Sequence, residues 1–96
     1  MSGTGQRKFT VVCDFLGGTY IEQVRADTVE DAVRQWSAYL AREQPIADHS
    51  SLLAKDVLQR LEEDAPTPLD TLTGVWFVYA SSGDAAAFIN LIDSAV

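Results

Sequence analysis

The sequence predicts a small α+β domain of element order β-β-α-α-β-α, with a three-stranded sheet opened by an N-terminal Gly-Gly hairpin and packed by helices. Three observations predict it. Residues 9–25 alternate apolar and polar side chains around Gly17-Gly18, residues 29–40 repeat apolar side chains every three to four positions, and Val75–Ala80 is a run of β-formers. A chain of 96 residues makes one domain. Residues 1–7, rich in Gly, Ser and Thr and without periodicity, are expected to be a flexible tail, and residues 8–96 the single α+β domain.

Phe9, Val11, Cys13 and Phe15 fall on one side of an extended chain, with Thr10 and Asp14 on the other, which is the pattern of a half-buried strand. Gly17-Gly18 suits a type I′ turn, whose two central residues both need φ > 0. The second strand runs from Thr19 towards Arg25. A turn at Gly17-Gly18 sets Phe15 opposite Tyr20, Val11 opposite Val24 and Phe9 opposite Ala26. It also sets Glu22 beside Cys13 on the apolar side, the one local conflict.

Thr28 is the expected N-cap of the first helix, with Glu30 and Asp31 in the first turn where they suit the helix dipole. Val29, Val33, Trp36 and Leu40 recur on one stripe, widened by Ala32, and Glu30 and Arg34 stand as an i,i+4 pair outside it. Pro45 ends this helix by residue 43 or 44. Ser50 or Ser51 offers a second N-cap. Leu53, Val57, Leu58 and Leu61 then predict a second helix, closing on Glu62-Glu63-Asp64, whose charges oppose the dipole and favour fraying. Residues 65–73, with Pro66 and Pro68, read as an extended loop. Val75–Ala80 is expected to be a strand covered on both faces and lying beside the hairpin. Ser81-Ser82-Gly83 breaks it, and Asp84 is read as the cap of a final helix with Phe88, Leu91, Ile92 and Ala95 on one side.

Seven basic residues against fourteen acidic ones give net charge −7. The basic residues are scattered from Arg7 to Arg60, which disfavours a nucleic-acid partner. A protein partner with a basic surface is favoured instead, because the negative field steers its approach. Thr10 and Asp14 interrupt the apolar run after Arg7-Lys8, so no signal peptide is expected, and no run reaches the ~18 residues of a membrane span. Cys13 is the only cysteine, which excludes an internal disulfide and a cysteine-cluster metal site. It also points to a reducing, cytoplasmic setting.

Few side chains are of the kind that does chemistry. Cys13 lies on the apolar side of its strand near Glu22, surroundings that raise a thiol pKa and suit a buried hydrophobe rather than a nucleophile. His49, in Asp48-His49-Ser50-Ser51, reads as a capping or loop histidine, because catalytic triads converge in space rather than in sequence. Glu62-Glu63-Asp64 lacks the alternating ligands of a calcium loop, and Ser81-Ser82-Gly83-Asp84 lacks the glycines and lysine of a phosphate loop. No catalytic residue, metal ligand or cofactor is therefore expected, and the chain is read as no enzyme. Tyr39, at the margin of the first helix's stripe, is the leading interface candidate, with Tyr20 and Trp36 beside it, although Trp36 and Trp76 also fit the core.

Residues 9–43 join a hairpin containing Gly17-Gly18-Thr19-Tyr20 to a helix opening Asp27-Thr28-Val29-Glu30-Asp31-Ala32. This resembles the hairpin–helix unit of HicB-type antitoxins. The third strand of that unit is missing before the helix, and no DNA-binding segment follows, so the resemblance assigns no family. The expectation is a non-enzymatic protein-binding accessory or inhibitor-like module of the immunity-protein or antitoxin type. Its rivals are a small-molecule binder or enzyme with a pocket between sheet and helices, and a homodimer formed through the hairpin edge.

Overall fold

The structure, a computed structural model, describes residues 7–94. Of the expected tail over residues 1–7, residues 1–6 lie outside the described residues and Arg7 opens the first strand. The elements are β1 (Arg7–Phe15), β2 (Gly18–Ala26), α1 (Val29–Glu43), α2 (His49–Glu63), β3 (Thr67–Pro68), β4 (Val75–Ser82) and β5 (Ala85–Asp93). The strands form one antiparallel sheet of order β2-β1-β5-β4-β3, and both helices pack on one of its faces. The domain is α+β, but its sheet has five strands where three were expected, and it has two helices where three were expected.

The main correction concerns residues 85–93. They form β5, the central strand, instead of a helix capped by Asp84. Gly83, with φ 61°, and Asp84 make a two-residue loop between Ser82 and Ala85, and positive φ at the first loop residue alone is the pattern of a type II′ hairpin turn. Ala87, Ile89 and Leu91 then alternate into the core while Phe88 points to the open face. Of the side chains assigned to that helix, Ala95 lies outside the described residues. It is β5, not β4, that lies beside the hairpin, paired with β1 from Phe9↔Asp93 to Phe15↔Ala87. Nor is β4 covered on both faces. Ala80 is buried, whereas Tyr79 stands on the face no helix covers and stacks edge-on against Phe88, with their ring centroids 5.9 Å apart.

The first hairpin has the expected faces with a shifted register. Its loop residues are Leu16 and Gly17, both at positive φ, so Phe15 pairs with Gly18, Cys13 with Tyr20 and Val11 with Glu22. Gly18 is consumed by the strand because the Tyr20 ring lies over it; a Cβ there would sit 3.1 Å from the ring. Aromatic cover of an edge glycine, together with the Thr19-to-Asp14 side-chain hydrogen bond of 2.8 Å, offsets the cost of placing Leu16 in the left-handed region.

Helix α1 starts and stops as expected. The Thr28 hydroxyl accepts from the Asp31 N–H at 3.1 Å, and Gln44, in the left-handed conformation before Pro45, closes the helix by donating its N–H to the Leu40 carbonyl. Glu30 and Arg34 stand one turn apart without closing an ion pair. The N-cap of α2 is Asp48 rather than Ser50 or Ser51: the helix begins at His49, and the buried Ser50 hydroxyl accepts instead from the Ile46 N–H in the preceding loop. It then runs through Glu62 and Glu63. The two helices are tied by a buried bond from the Ser37 hydroxyl to the Ala54 carbonyl. The loop after α2 contributes the short strand β3, which pairs Thr67 and Pro68 with Phe77 and Trp76. Phe9, Trp36, Leu40, Leu53, Ile89 and Leu91 fill the layer between sheet and helices. Among the described residues, no helix is long and apolar enough to cross a membrane.

Candidate protein-binding groove

Among the described residues the sheet ends at β2 on one side, and none of them covers that side. Phe15 and Gly18 flank a two-residue loop and are a hydrogen-bonded pair, so the antiparallel alternation turns the N–H and C=O of Thr19, Ile21, Gln23 and Arg25 away from β1. The register steps one for one over all nine residues of β2, with no bulge and no proline. Ile21 is 62% exposed. These features leave an uninterrupted row of backbone donors and acceptors open to another extended chain.

A groove follows that row on the helix side of the sheet, floored by β2 and walled by α1, which packs against β2. Near the hairpin turn it holds about 230 Å³ between Tyr20, Trp36, Tyr39, Leu40 and Pro45. Further along β2 it holds about 340 Å³ between Val24, Gln35, Tyr39 and Arg42. Glu22 and Tyr39 line both parts. The three side chains singled out from the sequence thus meet at one hollow: Tyr20 and Tyr39 half-buried against the core, Trp36 buried behind them with only its margin reaching the wall. Burial, together with the Glu22 and Glu43 carboxylates, raises the Tyr39 phenol pKa above its ordinary value. Glu22 makes no ion pair or hydrogen bond among the described residues.

The other edge is covered in part, and a hollow of about 280 Å³ lies beside it between Arg60, Thr67 and Tyr79. Beyond the two residues of β3, the outward N–H of Ser81 on β4 donates to Asp56 Oδ2 of α2 at 2.8 Å. Arg60 Nε holds the same oxygen at 2.7 Å, and its guanidinium lies 4.7 Å from the Tyr79 ring centre. Burial alone would raise the Asp56 pKa. The hydrogen bonds from Arg60 and Ser81, with the Arg60 charge, outweigh it and hold the carboxyl below its ordinary value.

The reactive side chains are engaged in packing. Cys13 is fully buried, and burial, reinforced by Asp14, pushes its thiol pKa up to about 11. His49 Nδ1 lies 2.8 Å from the Ser82 hydroxyl and its ring meets Phe15 edge-on, which fastens the start of α2 to the end of β4. Ser82 is itself buried. Sequence reasoning missed a second surface, the aromatic trio Phe77, Tyr79 and Phe88 on the open face of the sheet. Its signal was the strand alternation of residues 85–93. Compared with known protein families, curated proteins and solved structures, the chain matches none.

Proposed function

We propose that this chain is a non-enzymatic protein-binding module, inhibitor-like in the manner of immunity proteins and antitoxins, that takes an extended segment of a partner protein onto the edge of β2. The observation that carries the proposal is the bare nine-residue edge lying beside a groove lined by Tyr20 and Tyr39. Strand addition of this kind draws affinity from main-chain hydrogen bonds and specificity from pockets that receive alternate side chains. The net charge of −7 favours a partner with a basic surface, and the lone buried cysteine suits a reducing, cytoplasmic setting. Of the rivals, a ligand pocket between sheet and helices is left the hollow of about 280 Å³ where the end of α2 meets β3 and β4, since Trp36, Leu40, Leu53 and Ile89 fill the centre of the layer. Self-pairing along β2 uses the same bare edge and is the competing occupant.

The test is capture of a partner from native lysate by the intact chain and by its Ile21→Pro variant. Ile21 turns its N–H outward, so proline there removes a donor from the edge and leaves the β1–β2 ladder intact. A protein held by the first and lost by the second, with the Thr19, Ile21, Gln23 and Arg25 amides gaining hydrogen-exchange protection in its presence, supports the proposal. No partner binding more tightly than about 10 μM, roughly −6.8 kcal/mol, would sink it.

A further inference from the structure

We infer that the segment taken up along β2 carries a lysine or arginine opposite Glu22 and an apolar side chain two residues away, opposite Tyr20. The inference rests on the strand-addition proposal and specifies the chemistry of the segment. Glu22 lies between Tyr20 and Val24 on the helix side of the edge strand, where its neighbours pack against the core, and it makes no ion pair or hydrogen bond among the described residues. Its backbone groups face β1, so a residue set opposite it in an added antiparallel strand forms a non-hydrogen-bonded pair, with Cα atoms about 4.5 Å apart and side chains in contact. A cation there completes Glu22. The next side chain on the same face meets the hollow of Tyr20, Tyr39 and Pro45, which suits an aliphatic or aromatic group. Of the two cations lining this part of the groove, Arg42 is already held by Glu43 at 2.9 Å, and Arg25 makes no ion pair with Glu22.

The same carboxylate argues against a second copy of the chain as occupant. An antiparallel β2–β2 pair that engages all four outward residues matches Thr19 with Arg25 and Ile21 with Gln23, which puts the two-fold axis on Glu22. Two carboxylates then face each other at the closest cross-strand spacing, and like charges directly opposite destabilise a pair. Registers that avoid this give up the pairing of Thr19 or of Arg25. An inward-pointing charge on an edge strand is a known barrier to self-pairing. Here the barrier also selects the partner.

The test is selection of random nine-residue peptides displayed on phage against the intact chain, repeated with Glu22→Gln, Glu22→Lys and Ile21→Pro variants of unchanged circular dichroism. The expected result is enrichment of Lys or Arg two residues from an apolar side chain, absent with Glu22→Gln and replaced by Asp or Glu with Glu22→Lys. A synthetic peptide from the enriched set should weaken about two- to fivefold on Glu22→Gln, and no further when its own basic residue is also made Gln. Peptides that need the β2 edge, being lost with Ile21→Pro, but show no basic preference would overturn this inference and leave strand addition standing. Failure to retain any peptide, or retention indifferent to Ile21→Pro, would overturn both. Sedimentation showing a dimer that Ile21→Pro dissolves would give the edge to a second copy and overturn the inference.

Discussion

The two edges of this sheet solve the same problem in opposite ways. At β4 part of the exposed backbone is paired by a two-residue partner strand containing Pro68, and part is covered by α2, whose Asp56 takes the Ser81 N–H while Arg60 lies over Tyr79. At β2 no described residue takes up the outward groups, and the charges of Glu22 and Arg25 stand on the strand itself. The contrast between an edge that side chains of α2 partly cover and one left open beside a groove is the basis of the strand-addition proposal.

The comparison can be broken most forcefully at the covered edge. Leu53→Ala empties a fully buried site on α2 and should cost about 2–5 kcal/mol in urea denaturation, whereas Ile21→Ala on the bare edge should change stability by about 0.5 kcal/mol or less. Asp56→Ala strips Ser81 N–H and Arg60 of their shared acceptor and should cost about 1–3 kcal/mol. The carboxyl pKa is lowered on folding, so its stabilisation is fully present above the ordinary aspartate value and fades as pH falls through the lower folded-state value. Unfolding midpoints followed downward from pH 5 should show that loss in the native chain and a flatter profile in Asp56→Asn. Proline sharpens the contrast directly. Ser81→Pro removes the donor that Asp56 holds and should cost about 1–3 kcal/mol, while Ile21→Pro should cost under about 1 kcal/mol and report only in partner binding. A small gain is expected at the turn that opens β2. Leu16, at φ 48°, should gain about 0.5–1 kcal/mol on replacement by Gly, measured as a rise in Tm.

The first half of the fold was legible because its signals are local. Thr28, the stripe from Val29 to Leu40 and Pro45 delimit α1 without reference to anything distant. The hairpin faces were legible for the same reason, while its register depended on whether Gly18 sits in the turn or under the Tyr20 ring, which pattern alone does not decide. Residues 85–93 were misread because two periods fit them. Phe88, Leu91 and Ile92 satisfy a helix, reinforced by Ala85-Ala86-Ala87, and Ala87, Ile89 and Leu91 satisfy a strand. Gly83-Asp84 between two apolar runs was the available arbiter. Tyr20, Trp36 and Tyr39 were each visible in the sequence, but their meeting at one hollow depends on how α1 crosses β2. The bareness of the edge depends on strand order, and strand order was lost with β5.

Strand β5 is at once the middle of the sheet and the last of the described strands in chain order. During synthesis the β1–β2 hairpin and both helices are made before the strand that joins them to β4, so β1 waits with its inner side open until residues 85–93 have left the ribosome. Until then the β1–β2 hairpin presents two unpaired edges, and the pairing of β5 closes the inner one while the outer edge of β2 stays open.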